Sequence, residues 1–227
     1  MVGRPRRTLI RFDFPPGAAS EEMAATLCRL RMQHGDMRKP EFSCMRPPAP
    51  QLPDGIALVI RAVGFAANKH RDQRRKDKRA SPYINHPIAL AEVLWIEGRV
   101  RDPVVIAAAL LHDTIEDTDT TLEELKGEFG REIADIVEEV TDVKFLKKRS
   151  RKMLQVARAS RASSQAKLVK LADKICNVRD IVSNPPEGWS VDRKREYFDW
   201  AKAVVDQVRG TNVRLERRFD QMFRNRP

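Results

Sequence analysis

His34, His70, His86 and His112 are all the imidazoles in this 227-residue chain, so the company each keeps is informative. His112 is followed at once by Asp113, and the pair closes Val104–Leu111, the longest unbroken apolar run in the sequence. Burying a histidine beside an aspartate is costly unless the two are paired or hold a cation. A divalent metal would resolve that cost. Glu116 and Asp117 come directly after, His86 stands between Asn85 and Pro87 at a helix start, and Asp173 interrupts the apolar stretch that begins at Leu168. Histidine and carboxylate together suit Mn²⁺, Fe²⁺ or Zn²⁺ better than Ca²⁺. Taken singly, each residue has an ordinary alternative. His86 can be a cap, Asp173 can pair with Lys170 or Lys174, and Glu116 to Asp119 can be a solvated acidic turn.

The elements that must position these residues are helical. From Asp54 onward apolar residues recur at helical spacing, and no segment shows the sustained alternation of a strand. A first helix is marked by Ile56, Val59, Ile60, Val63 and Ala67 and ends near His70. A second starts at Pro87, runs through Ile88, Ala91, Leu94 and Trp95, and closes at Gly98. Asp102 and Pro103 open the buried run to Leu111. Thr121 to Glu124 has the spacing of a capping box for a helix reaching Phe129 and Gly130, after which Ile133, Ile136, Val137 and Val140 keep the register. Lys147 to about Val156 reads as a basic helix. The stripe Leu168, Leu171, Ala172, Ile175, Val178, Val182 marks a core helix over 164–182. On it Lys170, Asp173 and Asn177 share one face. Ser190 caps a helix through Tyr197, Trp200, Val204 and Val208, and Gly210 separates it from a last one through Leu215 and Phe219. The fold class is all-α.

Half of the 14 prolines lie in residues 1–50, with nine basic and five acidic side chains. Residues 1–53 are expected to be a poorly ordered Pro/Arg-rich extension, and 54–227 the folded domain. A helix from Ser20 to about Met32 is the one candidate element of the extension. Its opening arginines admit an organellar presequence, which Asp13, Pro15 and Pro16 argue against; a start at Met32, Met37 or Met45 is another explanation. The whole chain carries 43 Lys+Arg against 32 Asp+Glu, a formal +11. Nucleic acid, an acidic membrane or a small polyanion would each respond to that field. Interleaved acids and an aromatic content of only 6% argue against a dedicated nucleic-acid reader. The apolar run is too short to span a membrane. Three scattered cysteines, Cys28, Cys44 and Cys176, make neither a disulfide framework nor a cysteine zinc site. A reducing, cytoplasmic location is expected.

Several ordered motifs then coincide with one family. They are Phe65-Ala66-Ala67 with Lys69-His70-Arg71, Gln73 to Asp77, Pro82-Tyr83-Ile84-Asn85-His86-Pro87, Ala108 to Thr114 with Glu116-Asp117-Thr118, Lys167 to Lys174 with Asn177, and Tyr197-Phe198 with Trp200-Ala201. From about Gly55 to Arg224 the chain resembles the HD-domain hydrolases of the SpoT/RelA type, and among them the small single-domain, metazoan SpoT-like alarmone hydrolases. The resemblance implies an HD-domain helical bundle with a metal site between helices, holding one Mn²⁺. It implies hydrolysis of the 3′-pyrophosphate of guanosine tetra- and pentaphosphate, ppGpp and pppGpp, to GDP or GTP plus pyrophosphate. By the same resemblance His86, His112, Asp113 and Asp173 would be the metal ligands, and Glu116 and Asp117 would orient or deprotonate the attacking water. Arg75, Lys76 and Lys148 would take phosphate oxygens, and Asn177, Arg179 and Tyr197 ribose or base. A solvated charge run is the alternative for Arg74 to Lys76.

The departures from that family are few. Ala80-Ser81 precedes the Pro82-Tyr83 motif where many relatives have glycine; if that position needs a positive φ, alanine costs on the order of 1 kcal/mol. The long leader has no counterpart in the small members, and no synthetase or regulatory domain is expected after Pro227. A phosphatase acting on another ribose-phosphorylated nucleotide such as NADPH, and a non-catalytic nucleotide sensor, are the alternative functions.

Overall fold

A computed structural model describes residues 55–227; the expected extension and its Ser20–Met32 helix candidate lie outside the described residues. Helix α1 spans Gly55–Lys69, and α2 spans Asn85–Glu92 before passing into a π turn at Val93–Glu97. There follow α3 (Pro103–Leu111), the single turn α4 (Thr114–Asp117), α5 (Leu122–Phe129) and α6 (Arg131–Val140). After a loop come α7 (Lys148–Ala159), α8 (Ser164–Ser183), α9 (Val191–Gln207) and α10 (Val213–Arg224). Among the described residues no strand forms. Arg74 and Pro82 make an isolated antiparallel bridge in the loop between α1 and α2.

Local chemistry sets the helix starts. The Asp102 side chain accepts the Val104 N–H with Pro103 at the first helical position, and Ser163 and Ser190 accept the N–H groups of Ala166 and Arg193. Thr121 caps α5 by accepting the Glu124 N–H at 3.1 Å. The expected capping box is only half made, because the Glu124 carboxylate turns to the Lys69 ammonium at 3.0 Å. Gly130, at φ +84°, separates α5 from α6 in a conformation that glycine adopts without steric cost.

Helix α3 consists entirely of apolar residues, so it has to be surrounded. It packs against α1, α2, α6 and α8, and Val105 to Leu111 are all buried. Helix α8 is the second axis, touching α2, α3, α6, α9 and α10.

Three of the expected faces are rotated. On α1 the core side is Leu58, Ala62 and Ala66, while Ile56 and Ile60 lie on the outer flank, Ile60 being 64% exposed. Small Ala62 and Ala66 allow α1 to lie close to α3, and that approach outweighs the larger apolar area of the isoleucines. On α2 and its π turn Leu90, Val93 and Leu94 are buried, while Ile88 and Trp95 are exposed. The Trp95 ring is covered instead by the Arg101 guanidinium, 4.2 Å from its centroid. At the end of α8 Ile181 is buried where Val182 was expected.

Gly98 does follow the second helix, but with φ −79°, so left-handed backbone is not what requires glycine there. A Cβ at Gly98 would sit 2.9 Å from the Leu94 carbonyl oxygen and 3.0 Å from the Leu215 side chain. The Leu94 carbonyl and the close approach of α10 together exclude a larger residue. No helix among the described residues is long and apolar enough to cross a membrane.

Candidate active site

Three helices deliver the core of the site. His86 lies in the first turn of α2, His112 caps the C-terminus of α3, and Asp173 projects from the middle of α8. One potential ligand atom from each lies within 4.8 Å of the other two. His86 Nε2 is 3.3 Å from Asp173 Oδ1. His112 donates its Nδ1 hydrogen to the Ala109 carbonyl at 2.8 Å, which orients the ring so that Nε2 points into the cluster. Asp113 Oδ2 stands 2.9 Å from that Nε2, but the two do not meet in hydrogen-bond geometry and the nitrogen is buried without a partner. Two imidazole nitrogens and the Asp173 carboxylate converge on one buried point, with the Asp113 carboxylate beside His112, an arrangement of metal-ligating groups. A divalent cation fits it.

The surroundings keep both carboxylates ionised. Burial works against the charge of Asp113, but the adjacent His112 holds its pKa well below the usual carboxylate range. Burial likewise opposes the charge of Asp173, which Lys174 overcomes from 2.8 Å. Asn177 donates to the other Asp173 oxygen at 2.5 Å, so both oxygens of this carboxylate are fixed. The Tyr83 hydroxyl donates to Asp113 Oδ2. Burial and then Asp113 push the Tyr83 pKa up, so this hydroxyl stays protonated and can donate.

The next turn, α4, carries Glu116 and Asp117. Burial first, then the Asp142 and Asp113 carboxylates, raise the Glu116 pKa to about 7. That value suits a proton acceptor at neutral pH. Glu116 Oε2 accepts the Asp142 N–H at 3.1 Å, and Arg151 approaches Oε1 at 3.5 Å. Asp117 faces the adjoining cleft and accepts from Gln73 Nε2 at 3.0 Å.

That cleft has a volume of about 500 Å³. His86, Asp117, Arg75, Lys76, Asn177 and Tyr197 all line it, so the structure brings half of the sequence-predicted site residues into one cleft. Arg75 is held by Asp180 at 2.6 Å. Tyr197 stands between Trp189 and Trp200, with ring centroids 5.9 and 5.1 Å away. Lys148 lies in a neighbouring groove that shares Trp189 and Tyr197 with the cleft. Lys170 is buried and does not line the cleft, and burial, then Lys174, lower its pKa to about 8. Arg179 is brought elsewhere: it pairs with Glu97 at 2.7 Å and is absent from the cleft lining. Two positions after Asn177 on a helix lie roughly 200° around its axis, by the 3.6-residue turn. Sequence reasoning assigned no role to Tyr83 or Gln73, and named Lys174 only as an ordinary partner of Asp173, a pair that the structure forms. Tyr83 was within reach, because it stands three residues before His86 and one turn on a helix start faces the same way.

An all-helical bundle with a His/Asp centre at the meeting of its inner helices defines a class, and the HD-domain family matches residues 62–199. A *Xenopus tropicalis* protein named guanosine-3′,5′-bis(diphosphate) 3′-pyrophosphohydrolase MESH1 is 54% identical over 167 residues, 74% of this chain and 93% of that one. The *Homo sapiens* protein of the same name is 54% identical over 170 residues, 75% and 95% of the two chains. A solved structure of a metazoan ortholog of SpoT that hydrolyzes ppGpp and plays a role in starvation responses is 48% identical, with a TM-score of 0.73 over 75% of this chain and 96% of that one. The chain therefore belongs to the MESH1-type branch of the HD-domain family. Membership in that family implies a divalent metal, in agreement with the donor set.

Proposed function

We propose that this chain is a Mn²⁺-dependent guanosine-3′,5′-bis(diphosphate) 3′-pyrophosphohydrolase that converts ppGpp or pppGpp to GDP or GTP plus pyrophosphate. The observation that carries this is the convergence of His86, His112 and Asp173 beside a cleft that bears Arg75, Lys76, Asn177 and Tyr197. His86, His112, Asp113 and Asp173 hold the metal. Bound there, the metal supplies Lewis acidity and lowers the pKa of water. Glu116 accepts the proton of the attacking water and Asp117 orients that water. The water oxygen bonds to the phosphorus nearest the ribose, the bond from that phosphorus to the 3′ oxygen breaks, and the 3′ oxygen leaves as the hydroxyl on taking up the proton that Glu116 accepted, which restores the carboxylate. Arg75 and Lys76 hold the phosphates, with Lys148 at the edge of the adjoining groove; Asn177 and Tyr197 hold ribose and base. Arg179 is not part of the proposal, since Glu97 occupies it. The expected cytoplasmic location, where such a nucleotide would be met, belongs to the same proposal.

The test is release of pyrophosphate and GDP from ppGpp, with Mn²⁺ and with EDTA, by the wild type and by Asp113→Ala. Release that needs Mn²⁺ and is lost in the variant is expected. No release from folded, Mn²⁺-loaded protein overturns the proposal, and phosphate release from NADPH alone would redirect it to another ribose phosphate.

A further inference from the structure

His70 is an imidazole that the proposed chemistry leaves unused. It follows α1, is only 2% exposed, and lies outside the metal cluster. Its Nδ1 is 2.6 Å from Gln73 Oε1, and Gln73 Nε2 donates to Asp117 Oδ2 at 3.0 Å. A carboxylate only accepts hydrogen bonds, so Gln73 has to turn its NH₂ toward Asp117. Its carbonyl then faces His70, which requires the proton on Nδ1. Flipping the amide would set oxygen against oxygen at Asp117. The single charge at the end of this chain thus fixes both the amide orientation and the imidazole tautomer. With its proton on Nδ1, the neutral ring keeps a bare lone pair at Nε2, and Nε2 is indeed buried with no partner.

A second arm leaves the same ring. His70 stacks on Tyr83 with centroids 4.8 Å apart and planes at 30°, and Tyr83 donates to Asp113. One buried side chain therefore touches the supports of two acidic residues of the proposed reaction, one orienting water and one holding metal.

We propose that His70 is a positioning residue, whose Nδ1–H acts through the Gln73 amide to hold the Asp117 carboxylate in its working orientation. This rests on the proposed role of Asp117. Loosening a second layer of this kind costs about 10–100-fold in activity.

The experiment measures kcat and KM for ppGpp with saturating Mn²⁺ in His70→Phe, His70→Asn, Gln73→Met and the double variant His70→Phe/Gln73→Met. Phenylalanine keeps the ring against Tyr83 and removes the donor. Asparagine removes the ring and keeps an N–H near the place of Nδ1. Gln73→Met breaks the chain at a partly buried position, and a thermal melt of each variant accompanies the kinetics. His70→Phe and Gln73→Met are each expected to lose about tenfold or more in kcat with KM nearly unchanged, His70→Asn to retain most of it, and the double variant to be no slower than Gln73→Met. Wild-type kcat in Gln73→Met, His70→Asn as slow as His70→Phe, or losses that multiply in the double variant would each overturn the inference. Asp117→Asn separates the two levels. If it turns over like the wild type, the role of Asp117 and this inference fall together; if it is impaired while Gln73→Met is intact, only the inference falls.

Discussion

Glu116 and Asp142 stand 26 residues apart in the chain, yet the Asp142 backbone N–H donates to Glu116 Oε2 at 3.1 Å, while the Asp142 carboxylate opposes ionisation of the same side chain. Burial is the larger influence and Asp142 the next, and the Glu116 carboxyl titrates near 7 where an exposed one would titrate near 4.5. The loop after α6 thus tunes a residue that the sequence places beside the His112-Asp113 pair.

The pH dependence follows from that raised value. Below its pKa Glu116 holds a proton and cannot accept one, so kcat should rise with pH and level off once the carboxylate forms. A bound divalent cation favours the ionised form, which places the limb at or below about 7. Glu116→Gln should lower kcat by roughly 10²–10⁴. A pH profile unchanged in shape with full activity in that variant would exclude Glu116 as the acceptor.

Metal addition should stabilise the fold, because a cation relieves the opposed charges of Asp113 and Asp173. At 100 times the dissociation constant, binding contributes about 2.7 kcal/mol, a rise of roughly 5–10 °C in Tm for a domain of this size. Asp173→Ala should abolish the rise. An identical Tm with Mn²⁺ and with EDTA in the wild type would show that these residues hold no metal.

Arg75 and Arg179 make opposite predictions. Arg75 lines the cleft, so Arg75→Ala should raise KM for ppGpp by about 10–100-fold, the worth of a charge-assisted phosphate contact. Arg179→Ala removes a pair with Glu97 and should shift Tm while leaving KM near wild type. Steady-state kinetics on both variants decides between them.

Ala80 adopts φ +47°, so the left-handed backbone suspected at this non-glycine position is present. Such a conformation costs an alanine about 1–2 kcal/mol, partly offset by the greater freedom of glycine in the unfolded chain. Ala80→Gly should therefore stabilise by up to about 1 kcal/mol, read as a small rise in Tm. Gly98→Ala should do the reverse, destabilising the fold by about 1–3 kcal/mol through contact with the Leu94 carbonyl and Leu215, read as a lower Tm.

The helices were legible because they depend on local signals, whereas the proposed ligand set was reached through the family resemblance. Asp102-Pro103 starts a helix, an all-apolar run must be buried, and His112-Asp113 at its end is an anomaly that either pairing or a cation would resolve. Which face of α1 turns inward was not legible, since hydrophobicity favours Ile56 and Ile60 while packing distance favours Ala62 and Ala66. The supports of the site were harder still. Gln73 and Asp117 are 44 residues apart, and nothing in either local sequence fixes the loop crossing that joins them. Arg179 was misplaced for the complementary reason: it is near Asn177 in sequence, but the helix turns it toward Glu97.

His86, His112 and Asp173 come from three different helices, with long stretches of chain between them. A cation gripped by all three is a removable cross-link that staples the inner bundle, restricting the unfolded chain as a disulfide does, but reversibly. Starving the protein of metal would then do more than stop turnover: it would loosen the joints between α2, α3 and α8 and expose the chain to proteolysis. Metal supply would set how long the protein survives as well as how fast it works.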